Sequence, residues 1–183
     1  MHRILLSQRG RIFFNAAGFQ LCWFACVVQP GPLSLTAVGA FIAVQAFWLS
    51  AAQRVKALLF ALAGAGFDSL LLNTGWLNFP PATPFWLTAD PLVPLWLMLL
   101  WLAFASTLYL SLRWLAGKPL LAAVAGALCA PFSYWAGSHM GAVSFTPTTL
   151  LLIALYWALA LALMAGYRGS DEGSDESTAV RTR

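Results

Sequence analysis

Charge is what this chain has least of. Of 183 residues only 9% are Asp, Glu, Lys or Arg, while 61% are hydrophobic, against about 25% and 45–50% in an ordinary soluble domain. A soluble globular fold is therefore excluded. Two His and three Cys are too few and too scattered for a disulfide framework or a Cys/His metal constellation. The chain also lacks a Gly-rich phosphate loop and any basic run beyond membrane flanks, so nucleotide and nucleic-acid chemistry have no motif to rest on. No cofactor is implied.

What the chain has is apolar length. A bilayer span takes about 20 such residues, and the sequence offers stretches at Ile12 to Gln29, Leu33 to Gln53, Val55 to Leu72, Val93 to Arg113, Pro119 to Met140 and Thr146 to Tyr167. The first could be taken for a leader, but Trp23-Phe24-Ala25 stands before Cys26 where a lipidation signal wants small and aliphatic residues. It reads as a retained span. The fold class expected is thus all-α, a polytopic bundle of six transmembrane helices.

Lys and Arg beside short loops stay cytoplasmic. Arg3, Arg9 and Arg11 lie in the basic N-terminal segment 1–11, Arg54 and Lys56 after the second span, Arg113 and Lys118 after the fourth, and Arg168, Arg181 and Arg183 after the sixth. These are all ten basic residues of the chain. The loops after spans one, three and five have none, which predicts both termini in the cytoplasm. Prolines 30, 32, 80, 81, 84, 91, 94, 119 and 147 fall in turns or at span starts, where no helical hydrogen bond is lost. Thr146-Pro147 reads as an N-cap with a first-turn proline. Only Pro131 interrupts a span. Trp48 and Trp114 then lie at the inner interface, and Trp76, Trp86, Trp96 and Trp135 at the outer one.

Two segments fall outside this bundle. The connection from Asn73 to Leu92, rich in Trp, Phe and Pro, reads as an interfacial anchor, with a lid over a site as the alternative. Residues 168–183 carry Gly169-Ser-Asp-Glu and Gly173-Ser-Asp-Glu in tandem and are expected to be a disordered cytoplasmic tail.

An ionisable group inside a span is costly and so calls for a role. Asp68 is the one acid so placed. At 1.5 Å per residue it lies about 20 Å above the inner end of its span, level with Trp101, Ser133 and Tyr134 at roughly 18–22 Å. Asn73 and His139 come out at the outer surface. Pro131 leaves the Ala127 carbonyl without its donor, so a kink or unwound turn is expected at the level of Asp68. Small residues recur at Gly126, Ala130, Ser133 and Gly137, and at Ala61 and Gly64 ahead of Asp68. These stripes predict that spans three and five pack together, with Asp68 facing the break within reach of Ser133 or Tyr134. The candidate binding set is Asp68, Trp96, Trp101, Ser133, Tyr134 and Asn73, and the candidate proton-handling set is Asp68, Tyr134 and His139. Packing alone would also account for the stripes.

An inner polar layer comes from Gln20 and Gln45, each about 12 Å from the cytoplasmic end, and Ser106 at about 10 Å, which reads as interhelical glue. Asn15 is nearer the inside, placed to cap a helix or meet a headgroup.

The pattern Asn15…Phe19-Gln20…Trp23-Phe24-Ala25-Cys26-Val27, Gly66-Phe67-Asp68, Pro94-Leu95-Trp96-Leu97…Leu100-Trp101…Phe104…Leu108…Ser111-Leu112 and Pro131…Tyr134…Gly137…Gly141-Ala142 resembles an uncharacterised bacterial inner-membrane family known only as a domain of unknown function. Family members more often have Gly where Ala130 stands and a basic residue in the place of His139. The resemblance implies six spans, no assigned activity, and gene neighbourhoods concerned with modifying unsaturated membrane fatty acids. Two functional classes follow. One is an accessory or binding protein whose partners are membrane lipid and lipid-modifying enzymes. The other is an intramembrane enzyme or proton-coupled transporter using Asp68. Transport should leave matching broken helices in two halves, and no such echo is visible.

Overall fold

The structure, a computed structural model, describes residues 7–80 and 91–181, with side chains as far as 168. Trp86 and the rest of 81–90 in the long connection, and residues 1–6 and 182–183, lie outside the described residues. Two units make up the chain: Met1–Arg113 with Gly137–Phe145, and Trp114–Ala136 with Thr146–Arg183.

The first unit holds α1 (Gln8–Val28), α2 (Pro32–Trp48), α3 (Ala51–Asn73) and α4 (Leu95–Thr107), with strands β1 (Leu77–Asn78) and β2 (Ser144–Phe145). Local chemistry sets the boundaries. Ser7 caps α1 by accepting from the Gly10 amide at 3.1 Å, and Pro32 opens α2 at a position that needs no donor. Only Leu49 and Ser50 separate α2 from α3. Ser50 Oγ accepts from the Gln53 amide while Gln53 Oε1 accepts from the Ser50 amide, at 3.2 and 2.9 Å. This reciprocal capping starts α3 at Ala51, so Gln53 and Arg54 belong to its first turns, whereas hydropathy alone put the boundary at 53–55.

α3 and α5 (Pro119–His139) end alike. Gly75 and Gly141 take φ of 75° and 77°. Their amides bond Leu72 and Ser138 carbonyls, and the next amides, of Trp76 and Ala142, reach back to Leu71 and Gly137 at 2.9 and 3.0 Å. Both ends are therefore closed by glycine in the left-handed region. The chains so turned pair as an antiparallel ladder, Leu77 opposite Phe145 and Asn78 opposite Ser144.

α4 lies at the centre of this unit, in contact with α1, α2 and α3. It is buried on all sides, through Trp96, Leu100, Trp101, Ala103, Ala105, Ser106 and Thr107. Trp96 is thus a core residue, edge-on to Phe79 at 5.9 Å, and not part of an outer aromatic belt; Trp76, Trp114 and Trp135 are exposed.

In the second unit, Pro119 opens α5 and Pro147 opens α6 (Pro147–Arg181). The Thr146 and Thr149 hydroxyls meet at 3.0 Å beside that start. The two helices come together at Gly126, where an added Cβ would stand 2.5 Å from the Trp157 carbonyl oxygen. α5 is helical straight through Pro131, so the unwound turn expected there is absent. Losing one hydrogen bond leaves the bonds on either side to hold the helix. Beyond Tyr167, where a disordered tail is expected, α6 continues to Arg181, because an already nucleated helix gains a bond for each further residue fixed.

Among the described residues four helices are long and apolar enough to cross a bilayer: α1, α3, α5 and Pro147–Arg168 of α6. Where the sequence predicts spans of 33–53 and 93–113, α2 has 17 residues and α4 has 13. These reach about 25 and 20 Å, short of a hydrocarbon core of about 30 Å. Replacing Gly126 by Ala should lower thermal stability in micelles by about 1–3 kcal/mol, since backbone must shift to admit the methyl. Gly66→Ala, with nothing within 4 Å of the new Cβ, should be neutral or slightly stabilising.

Candidate functional site

A short helix in an apolar bundle leaves up to four amides and four carbonyls without helical partners at its ends, and these need partners from the surrounding protein. The polar residues of the first unit gather at these two places.

At the N-terminal end, Pro91 and Pro94 remove two amides that would otherwise need acceptors. The Val93 amide donates to Ser69 Oγ at 3.1 Å, and that hydroxyl donates to the Ala65 carbonyl at 2.7 Å. Asn73 Nδ2 donates to the carbonyls of Ser69 and Pro91, both at 2.6 Å. Deeper, Trp101 Nε1 donates to Asp68 Oδ2 at 2.7 Å, with Asp68 0% and Trp101 3% exposed. The indole lies flat on α3. A Cβ at Gly64 would come within 2.2 Å of it, so the missing side chain makes the room, and Phe60 closes one edge at a centroid distance of 6.2 Å.

At the C-terminal end, Ser106 and Thr107 hydroxyls donate to the carbonyls of Ala103 and Phe104 at 2.7 and 2.6 Å. The amides of Leu110 and Leu112 both return to the Thr107 carbonyl. Asn15 of α1, 0% exposed, completes the closure. Its Oδ1 accepts from the amide and hydroxyl of Ser111, and its Nδ2 donates to Gln45 Oε1 at 3.2 Å and Ser106 Oγ at 3.3 Å. Two acceptor sites and two donors are all an amide side chain has, and all four are used.

Within the first unit the candidates fall into groups. Asp68 and Trp101 meet; Asn15, Gln45 and Ser106 meet; Asn73 braces the entry to α4. Gln20 is exposed on α1. Ser133 and Tyr134 are half-buried on α5 in the second unit, and His139 is exposed at its end. The α3 stripe is occupied at Gly64 by Trp101 of α4, and the α5 stripe at Gly126 by α6. Ser69 and Ser111 are structural participants that sequence reasoning passed over, although Ser69 and Asn73 stand one helical turn apart. Among the described residues no group of three or more His, Cys, Asp and Glu side chains comes together.

The family described as Protein of unknown function (DUF2878) matches residues 12–163. The chain belongs to this family. The DUF2878 match takes in both clamped ends of α4, from Asn15 to Ser111, and stops within α6 short of the tail. No curated protein and no solved structure matches the chain.

At both ends side-chain hydrogen bonds close the helix, and all four hydrogen-bonding positions of the Asn15 amide are used. In this DUF2878 protein Asn15→Ala should cost about 2–4 kcal/mol, because the Ser111 amide and Gln45 carbonyl are left buried without it. Unfolding midpoints in a fixed detergent would measure this. Gly64→Ala should displace Trp101 and appear as a red-shifted, more quenchable tryptophan emission.

Proposed function

We propose that this chain is a multi-pass protein of the bacterial inner membrane, with six membrane-inserted helices and both termini cytoplasmic. It acts there as an accessory or binding protein beside enzymes that modify membrane acyl chains. The distribution of all ten Lys and Arg residues supports the orientation. So does the β1–β2 ladder, which pairs Leu77-Asn78 with Ser144-Phe145, as expected if those two loops leave the same face. Asn15, near the start of α1, bonds residues near the ends of α2 and α4, consistent with alternating directions. α2 and α4 serve as inserted helices despite their length, since irregular backbone at membrane depth is tolerated where protein surrounds it. The link to acyl modification rests on the family resemblance alone.

The observation that carries the accessory role is the Asp68–Trp101 bond. The acid that would have to move protons is fully buried and committed to an indole, which suits a packing tie better than a relay. The competing reading, an intramembrane enzyme or proton-coupled transporter using Asp68, is separated by Asp68→Asn. The amide oxygen still accepts from Trp101, so stability should fall by no more than about 1 kcal/mol and every wild-type phenotype should persist. A folded Asp68→Asn protein without function would favour proton handling instead.

Orientation is tested by cysteine labelling with Cys22, Cys26 and Cys129 replaced by Ala. Ser144→Cys, exposed in β2, should react with an impermeant maleimide in spheroplasts, and Gln8→Cys, exposed at the start of α1, only after permeabilisation. The reverse pattern would overturn the orientation.

A further inference from the structure

The Asn15 node is saturated, but its neighbours on the side of the helix ends are not. Gln45 is 1% exposed and spends its carbonyl on Asn15, while its Nε2 is shielded and meets no acceptor. One turn along α1 from Asn15, Arg11 lies over the Trp48 ring at 5.6 Å, and Trp48 is itself one turn along α2 from Gln45. The Nε of Arg11 is likewise shielded and has no hydrogen-bond partner. Two donor groups, one cationic, thus stand on facing helices in adjacent tiers about 5 Å apart along the axis. Phe14 closes another side, edge-on to Trp48 at 5.6 Å. Asp68, the one acid whose side chain is described, is engaged with Trp101. Burying two such donors without acceptors costs free energy, and the missing partner is therefore an acceptor with negative charge and several oxygens.

We propose that Arg11 and Gln45, with Trp48 as the side wall, bind the phosphate of a phospholipid headgroup. Guanidinium and phosphate match in charge and geometry, and tryptophan is at home at headgroup level. A lipid is favoured over free phosphate because the large apolar ring of Phe14, edge-on to Trp48, is itself 39% exposed, so apolar surface adjoins the donors where acyl chains would lie. The inference requires membrane insertion only. It stands apart from the orientation and from the acyl-modification role, neither of which a detergent experiment reads.

The test is a thermal-unfolding titration of the delipidated full chain in a mild detergent. Short-chain phosphatidylglycerol should raise the midpoint saturably, and diacylglycerol of the same chains should not. Arg11→Gln, at a half-exposed position that leaves the node intact, should weaken half-saturation about tenfold or more. Arg9→Gln, which removes an exposed charge nearby, should change it by less than about twofold. Gln45→Glu keeps the acceptor for Asn15 and sets a carboxylate against the phosphate, so it should abolish the response. Inorganic phosphate alone giving the whole shift would overturn the lipid as source. An equal response to diacylglycerol, or equal losses for Arg9→Gln and Arg11→Gln, would overturn the site itself.

Discussion

Backbone groups left without helical partners at the two ends of a short central helix are the constraint on which the first unit is built. α4 has 13 residues and apolar surface on every side. It can end inside the bundle only if each freed amide and carbonyl meets a partner. α3 supplies Ser69 and Asn73 at one end, and α1 supplies Asn15 at the other. The three surrounding helices are thereby fixed in level as well as in position. Apolar packing, which has no preferred direction, does not by itself set that register. The Trp101 indole over Gly64 shows the same division: contact area holds the ring on α3, and the bond to Asp68 sets where along α3 it rests.

Much of this was legible in the sequence, for reasons that can be named. Prolines at 32, 119 and 147 announce helix starts because their missing amide costs nothing there. The even lack of charge makes a membrane protein the only sensible class. Asn15, Gln45 and Ser106 stand out because amides and hydroxyls are rare in such stretches. What stayed hidden depends on partners distant in the chain. Val93 to Arg113 carries no charge before Arg113 and gives no sign that the helix stops at Thr107, since the stop is made by an asparagine 96 residues away in the chain from Ser111. The short connection between α2 and α3 was written in Ser50 and Gln53, but a hydropathy window averages over a capping pair. Asp68 and Trp101 were at the same computed depth as Ser133 and Tyr134, and depth cannot choose among partners on different helices.

Under the proposed function the arrangement serves as a scaffold. The buried polar atoms are largely spent on each other and on backbone. The donors left over, on Gln45 and Arg11, lie beside the rim of the α1–α2 pair, where headgroups would be met. Their chemistry suits holding a lipid in a defined place, which is also what an accessory protein of lipid-modifying enzymes would need. Arg11 lies one residue before the DUF2878 match begins, so its role belongs to the membrane flank as much as to the core.

The most direct test of α4 as a strut fastened at both ends is a double-mutant cycle between them, with Asn15→Ala at one and Trp101→Phe at the other, scored by reversible unfolding in bicelles. Neither residue touches the other, so independent sites would add within about 0.3–0.5 kcal/mol. If α4 is held as one body, freeing one end lets the helix shift and makes the second tie worth less. The double variant should then lose at least about 1 kcal/mol less than the sum of the singles. Additive losses would contradict a clamped central helix and would leave two local hydrogen-bond sites in its place.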